Sequence, residues 1–286
     1  MHKIGIVSLL VAVLSLAAPV AAQGSPDRKD WIQLFNGRDL GGWDVKITGH
    51  ELNDNVGETF RVEDGLLTVS YDQYRDFAGQ FGHLFFRQKF SYYIVAVEYR
   101  FIGEQATGGA EWARRNSGIM VHSQAAASML EDQDFPISIE VQLLGGGESG
   151  ERPTANLCTP GTHVEMDGKL VTTHCINSTS PTLRGEQWVR VEAVVLGHEG
   201  IRHVVNGETV LRYEHPQIGG EVVHGFDPNV KHDGEPLEEG YIALQSESHP
   251  VQFRKVELLN LVGCMDPQAS NYKSYFVKSD PAACRY

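Results

Sequence analysis

The stretch WVRVEAVVLGHEGIRHVVNGETVLRY, residues 188–213, decides the fold class of this chain. β-Branched residues dominate three short runs within it, and Asn206-Gly207 separates the last two runs. An Asn-Gly pair between two such runs is typical of a tight β-hairpin turn, because both residues tolerate positive φ. The stretch therefore predicts three consecutive strands over Trp188–Leu196, Ile201–Val205 and Glu208–Tyr213.

Runs of the same kind recur along the rest of the chain. The further predicted strands are Phe60–Ser70 (turning at Asp64-Gly65), Tyr92–Phe101, Gly118–His122, Ile137–Leu144, Gly240–Gln245 and Val251–Leu259. Helical periodicity is confined to a short predicted helix over Ala125–Leu130 and to the apolar start of the chain. Many short strands at regular spacing predict an all-β protein, a two-sheet jelly-roll sandwich.

The net charge limits which partners the protein can have, and the N-terminal segment indicates where the protein is located. The 286 residues carry a formal net charge of −13 at pH 7, which repels phosphate backbones and excludes nucleic acid as a partner. Residues 1–22 have a basic start at Lys3, an apolar core and the small-residue ending Val20-Ala21-Ala22, so they are predicted to be a signal peptide. No later segment is apolar enough to span a membrane. We expect an exported protein, periplasmic or extracellular; an uncleaved N-terminal anchor is the alternative.

Four cysteines predict disulfides, since an even number in an exported protein is typical of them. Proximity in sequence favours Cys158–Cys175 and Cys264–Cys284. A zinc site is the alternative, although the chain has no CxxC pair. The composition changes at Gly263, so residues 23–262 are predicted to form the main domain and residues 263–286 a small disulfide-closed tail. The long segments 145–180 and 216–236 are predicted to be functional loops.

Alternation along the strands predicts a polar face. Glu140 and Gln142 project opposite to their apolar neighbours on one strand, and the same period relates Asn116 to His122 on another strand and Gln245 to Glu247 on a third. If these strands are neighbours, His122, Glu140 and Gln142 converge with Gln245 and Glu247. Histidine, carboxylate and amide groups together suit sugar hydroxyls and proton transfer. A solvated outer face is the alternative.

The absence of several sequence motifs excludes the enzyme classes that depend on them. GxSxG, the P-loop and HExxH are all absent, which excludes elbow-type serine hydrolases and P-loop nucleotide enzymes. The strand SIEVQLL carries one carboxylate and one amide, so it lacks the two acids that retaining glycosidases need. A direct displacement would take its second acid from another strand, and Glu247 is the candidate.

A metal requirement stays open at this point. His163, His174, His224, His232 and His249 fall in predicted loops, where scattered surface histidines are as good an explanation as a metal site. Oxygens of Asp266, Asn271 and Asp280 in the tail suit Ca²⁺, but a plain capped turn explains them equally well. No cofactor is therefore assigned, and a divalent metal ion (Ca²⁺ or Mg²⁺) is kept as an alternative.

Six segments in order resemble the 3-keto-disaccharide hydrolase family of exported bacterial proteins. They are WIQLFNGRDLGGWDV (31–45), FRVEDGLLTVS (60–70), NSGIMVHS (116–123), IEVQLLGG (139–146), GEQWVRVEAVVLG with VNGETV (185–210) and GYIALQSESHPVQFRKVEL (240–258). Together they cover about residues 31–260. The resemblance implies a concanavalin A-like jelly roll that cleaves glycosidic bonds in sugars already oxidised at C3.

The resemblance also implies a mechanism and site residues. A C3 ketone acidifies the C2 proton, so a base can remove it, the enolate can expel the C1 substituent, and water can add to the resulting glycal. Carried over by motif position, Glu140 is the candidate base or acid, and Gln142 orients the substrate. His122 is the candidate enolate stabiliser or second proton carrier, and Asn116, Gln245 and Glu247 are substrate-binding candidates. The chemistry implies an upstream oxidoreductase that makes the 3-keto sugar.

The chain departs from the family in one segment, and a second function stays open. Where many members place a histidine in the last motif, this chain has Gln245-Ser246-Glu247-Ser248-His249, which leaves a role for His249 in doubt. The alternative function is a non-catalytic carbohydrate-binding module on the same fold, with Trp112 and Tyr241 as its exposed aromatic candidates. A surface-attachment role would rest on the tail alone.

Overall fold

A computed structural model describes residues 26–286, and the predicted signal peptide lies outside the described residues. Strands dominate, and the helices are single 3₁₀ turns. In chain order the strands are β1 (Ile32–Gln33), β2 (Trp43–Ile47), β3 (Phe60–Glu63), β4 (Leu66–Val69), β5 (Gly82–Phe90), β6 (Tyr92–Phe101), β7 (Asn116–Ser123), β8 (Ile139–Leu144), β9 (Asn156–Cys158), β10 (Thr162–Met166), β11 (Lys169–Val171), β12 (Cys175–Ile176), β13 (Val189–Leu196), β14 (Ile201–Val205), β15 (Glu208–Ile218), β16 (Gly240–Ser246), β17 (Val251–Asn260), β18 (Val262–Gly263) and β19 (Lys278–Ser279). The 3₁₀ turns are Arg28–Asp30, Val56–Glu58, Glu111–Ala113, Ala126–Ser128, Pro228–Val230 and Pro281–Ala283.

The predicted two-sheet jelly-roll sandwich is confirmed. A ten-stranded sheet runs β11-β10-β15-β14-β13-β6-β17-β4-β3, with β1 added beside β17. A seven-stranded sheet runs β12-β9-β8-β7-β16-β5-β2. The Asn206-Gly207 turn joins β14 to β15 with positive φ at both residues, as the hairpin prediction requires.

Apolar side chains from both sheets fill the space between them. Tyr93, Val95 and Val97 of β6 meet Ile139 and Val141 of β8 in one continuous core. Because side chains alternate along a strand, the residues between these core positions point to the outer face of each sheet. The seven-stranded sheet therefore has an apolar inner face and a separate outer face on which a site can be built.

The structure differs from the sequence prediction in several places, among them β2 (Trp43–Ile47), which was not predicted as a strand. β5, Gly82–Phe90, was not predicted as a strand, although it pairs with both β16 and β2. The predicted long loop 145–180 contains β9 to β12, because its segments add to the edges of both sheets. The helix predicted over Ala125–Leu130 shortens to the single 3₁₀ turn Ala126–Ser128.

Both predicted disulfides are present, Cys158–Cys175 and Cys264–Cys284, and no cysteine is free, so the zinc alternative has no thiolate. In the tail, the carboxylates of Asp266 and Asp280 accept backbone N–H groups two residues on, and the Asn271 side chain bonds the backbone of Ala283 and Arg285. These are capped turns, the simpler of the two alternatives for the tail. Within residues 26–286, no helix is long and apolar enough to cross a membrane.

Candidate active site

The outer face of the seven-stranded sheet forms the floor of a cavity of about 990 Å³. Strands β7 and β8 contribute floor residues, and loops before and after the strands supply the walls. The predicted residues Asn116, Glu140, Gln142 and Glu247 all line this cavity. The prediction that these side chains share one face is therefore confirmed for them.

Local strand geometry brings Glu140 and Gln245 together. Gly118 on β7 lies between β8 and β16, and a Cβ atom at this position would lie 2.7 Å from Glu140 Oε1 and 3.0 Å from Gln245 Oε1. Only glycine leaves room for both side chains above the strand. Gln245 is fully buried and lies beneath the cavity rather than along its wall.

The floor holds polar atoms that no group within residues 26–286 satisfies. Asn116 Oδ1, Glu140 Oε1, Glu247 Oε2 and both side-chain polar atoms of Gln245 are buried without a hydrogen-bond partner. Gln142 is the exception, since Asn156 Nδ2 donates to its Oε1 at 3.1 Å. Buried polar atoms in a folded protein are normally paired, so this group of atoms is suited to a ligand rich in hydroxyl and carbonyl groups.

The two floor carboxyl groups have strongly perturbed protonation. Burial raises the pKa of Glu140 to about 8. The pKa of Glu247 is raised well above its usual value by burial and by the nearby charge of Glu140, and the positive charge of Arg152 opposes this rise. Two carboxyl groups in one desolvated site resist double ionisation, so one member of the pair keeps its proton when the other ionises.

Arg152 is a site residue that the sequence analysis missed. Its guanidinium donates to the carbonyl of Gly145 at 2.9 Å, to that of Trp112 at 3.0 Å and also to that of Arg114. These bonds join residues 145–152 to the distant segment 112–114, so no local pattern could place the residue. The only available signal was its position in segment 145–180, which the length of the loop marks as functional.

His122 is not at the cavity, so its predicted convergence with Glu140 is wrong. Between Met120 and Ser123, β7 has one residue more than the facing segment of β16, and His122 sits in this bulge with a φ of 49°. The bulge breaks the period of two. The ring is buried, and its Nε2 lies 3.1 Å from the carbonyl oxygen of Gly197, outside the cavity lining.

His249 also lies off the cavity. It is buried against the edge of the Phe101 ring, and burial together with nearby arginines lowers its pKa to about 4. The segment in which this chain departs from the family pattern therefore places its histidine, His249, outside the cavity lining.

Four further titratable groups line the walls: Glu111, Asp134, His174 and His224. His224 and Asp134 form a pair at 2.7 Å, and His174 lies beside the Cys158–Cys175 disulfide. The Sγ atoms of the disulfide and a ring nitrogen of His174 lie within 4.8 Å of one another. They do not form a metal site, because the two sulfurs are bonded to each other.

Aromatic side chains form one wall. Trp112 is 56% exposed and stacks on Phe81 with ring centroids 6.0 Å apart, and Phe81 contacts Phe135 at 4.8 Å. All three line the cavity. Tyr241, the other aromatic candidate, is absent from the lining and packs on a separate cluster with Met120.

Comparisons with known proteins give one family match and several structural likenesses. A family model described as the 3-keto-alpha-glucoside-1,2-lyase-like domain matches residues 30–259. Two glycosyl hydrolase candidates from Parabacteroides distasonis have similar structures. The first has 16% sequence identity, covers 82% of this chain and 98% of its own chain, and has a TM-score of 0.48. The second has 14% sequence identity, covers 80% of this chain and 98% of its own chain, and has a TM-score of 0.46. The lumenal domain of VIP36, in a Ca²⁺/Man3GlcNAc-bound form, matches 88% of this chain and 97% of that domain at 9% identity and a TM-score of 0.44. Among curated proteins, none matches this chain.

Proposed function

The chain belongs to the 3-keto-alpha-glucoside-1,2-lyase-like family, and on that premise we propose that it cleaves the glycosidic bond of sugars oxidised at C3. The observation that carries the proposal is the Glu140–Glu247 pair, buried without partners on the floor of a large cavity. A base and a neutral acid side by side are what an elimination next to a ketone requires.

Each carboxyl group takes one role. In the proposed reaction Glu140 is the ionised member of the pair and removes the C2 proton of the keto sugar. Glu247 is the protonated member and donates a hydrogen bond to the C3 oxygen as that oxygen gains the charge of the enolate. The enolate then forms the C1–C2 double bond and breaks the bond from C1 to the leaving oxygen.

Water completes a net hydrolysis. Its oxygen adds to C1 of the glycal, and a proton returns to C2 from Glu140, which restores the carboxylate. The proton that the water loses balances the proton that the leaving oxygen takes up. If the glycal leaves before water adds, the same residues carry out a lyase reaction and solvent removes the proton from Glu140. Asn116 and Gln142, which line the cavity, bind and orient the sugar hydroxyls in either case.

The test uses the purified chain with 3-keto-trehalose, a 3-keto-β-glucoside and their unoxidised parents, with and without EDTA. Release of sugar from the keto forms alone supports the elimination, and a loss of activity in EDTA adds a divalent metal ion to the proposal. Accumulation of an enone absorbance separates the lyase outcome from net hydrolysis. No release from either keto sugar contradicts the proposal.

Two other functions have one supporting observation each. The charge of Glu140 helps to raise the pKa of Glu247, so the two carboxyl groups are near each other. Such a pair also suits a glycosidase that uses two carboxylates, and that function predicts cleavage of the unoxidised parent sugars. The exposed Trp112 on the cavity wall suits a carbohydrate-binding module, which predicts sugar binding without any release.

Location, domain division and supply of substrate complete the proposal. Two disulfides support export to an oxidising compartment. We treat residues 263–286 as a small appendage to the catalytic domain 23–262. Because a 3-keto sugar is an oxidised substrate, a sugar oxidoreductase must act before this chain.

A further inference from the structure

His224 and Asp134 are held in a fixed arrangement at the cavity wall. The Nδ1 of His224 lies 2.7 Å from Asp134 Oδ2, and the backbone N–H of His224 donates to Asp134 Oδ1 at 2.7 Å. The same Oδ1 accepts the N–H of Phe135 at 2.8 Å, and the backbone N–H of Asp134 donates to the carbonyl of His224 at 3.2 Å. The carboxylate is thus fixed from several sides, and it fixes the ring with Nε2 free.

His224 is exposed to the cavity and Asp134 is mostly buried behind it, as expected for a proton donor and the residue that positions it. The His224 side chain is 77% exposed and the Asp134 side chain 18% exposed, and both line the cavity whose floor carries Glu140. An inner carboxylate on Nδ1 fixes the orientation of the ring, so that the Nε2–H of a protonated imidazole is the one available for donation.

The proposed elimination lacks a donor for its leaving group. Glu140 is assigned to the C2 proton and Glu247 to the C3 oxygen, while an arginine such as Arg152 does not release its protons. Burial lowers the pKa of His174, the other histidine of the wall, so this ring is neutral at pH 7. His224 is the histidine of the lining that remains.

We propose that His224 is the general acid that protonates the leaving oxygen at C1, and that Asp134 is its positioning residue. This inference rests on the proposed function. As Glu140 takes the C2 proton, the C1–O bond breaks with its electrons on oxygen, and His224 Nε2 gives that oxygen a proton. The alcohol leaves neutral, and solvent reprotonates His224.

The test varies the leaving group. In His224→Gln, kcat/KM for a 3-keto-disaccharide falls roughly 100-fold, whereas kcat/KM for a 3-keto-4-nitrophenyl glucoside changes by less than about 3-fold, because a stable phenolate needs no acid. Asp134→Asn gives a smaller loss with the same dependence on the leaving group. The loss appears in kcat rather than in KM.

The chain supplies a matched control pair. His215 Nδ1 lies 2.8 Å from Glu165 Oε2, and neither residue lines the cavity. His215→Gln and Glu165→Gln leave kcat/KM unchanged for both substrates, and thermal unfolding confirms that all four variants fold.

Two results overturn the inference. An equal loss for both substrates in His224→Gln assigns the residue to binding or structure, and no loss for the disaccharide removes it from the reaction. Both results leave the proposed function standing, provided the unmodified chain cleaves the keto sugars. If the unmodified chain cleaves neither, the proposed function fails and this inference fails with it.

Discussion

The two faces of β8 are both largely buried and chemically opposite. Ile139, Val141 and Leu143 point into the sandwich, are fully buried and contact apolar side chains of the other sheet. Glu140 on the outer face is 5% exposed, and its Oε1 has no partner. Burying an unpaired polar group destabilises a protein, whereas burying an apolar one stabilises it. One strand therefore carries stability on one face and a strained, reactive arrangement on the other.

The largest expected effect is on the outer face. Glu140→Gln removes the base, so we expect kcat/KM on a 3-keto-glycoside to fall about 10³-fold, within the range of general base catalysis. Stability stays equal or rises, because a neutral amide replaces a buried acid. The comparison variant is Glu247→Gln, whose amide still donates to the C3 oxygen, so its loss is smaller. Equal losses in the two variants would favour the two-carboxylate glycosidase instead.

The inner face gives the converse result. Leu143→Ala leaves a cavity in the core and is expected to lower the free energy of unfolding by about 2–5 kcal/mol. Activity per folded molecule remains close to that of the unmodified chain, since Leu143 does not line the cavity. Urea unfolding measures the first quantity, and kcat below the unfolding transition measures the second. A loss of kcat in fully folded Leu143→Ala would show that the two faces are coupled.

The sequence determines one of these faces far better than the other. Hydrophobic alternation predicts most strands of both sheets and places Glu140 and Gln142 opposite the core. It predicts Glu247 correctly too, because Gln245 and Glu247 keep the period of two. It fails for His122, where one extra residue in β7 reverses the expected face, and nothing local in NSGIMVHS marks a bulge.

Residues on the walls are harder to predict than residues on the floor. Arg152, Asp134 and His224 reach the cavity through contacts between segments far apart in the chain. Such contacts depend on how loops cross the sheet, which periodicity does not encode. Strand β5 was missed for a related reason: the run HLFFRQKF alternates poorly, because its outer residues His83 and Phe85 are also buried.

The pH dependence separates the two faces a second time. The folded-state pKa of Glu140 is raised from 4.5 to about 8, so the folded protein holds a proton that the unfolded chain releases. Stability from this group is present below pH 4.5 and is lost as pH rises through about 8. Over the same window kcat/KM rises, because the base must be ionised. Urea unfolding at several pH values should show the stability loss diminished in Glu140→Gln and retained in Leu143→Ala.

The smallest effect on activity is expected at the aromatic wall, whose side chains contact the sugar but take no part in proton transfer. An aromatic face contributes roughly 0.5–1.5 kcal/mol beyond its buried area, so Trp112→Ala should weaken sugar binding about 2- to 10-fold. We expect the loss in KM, with kcat nearly unchanged, because Trp112 contacts neither C2 nor the leaving oxygen in the proposed reaction. Trp188→Ala is the matched control, since Trp188 lies between Arg100 and Arg254 and not on the cavity. A large fall in kcat in Trp112→Ala would mean that the wall holds the substrate in its reactive position. Catalysis would then depend on the walls of the cavity as well as on its floor.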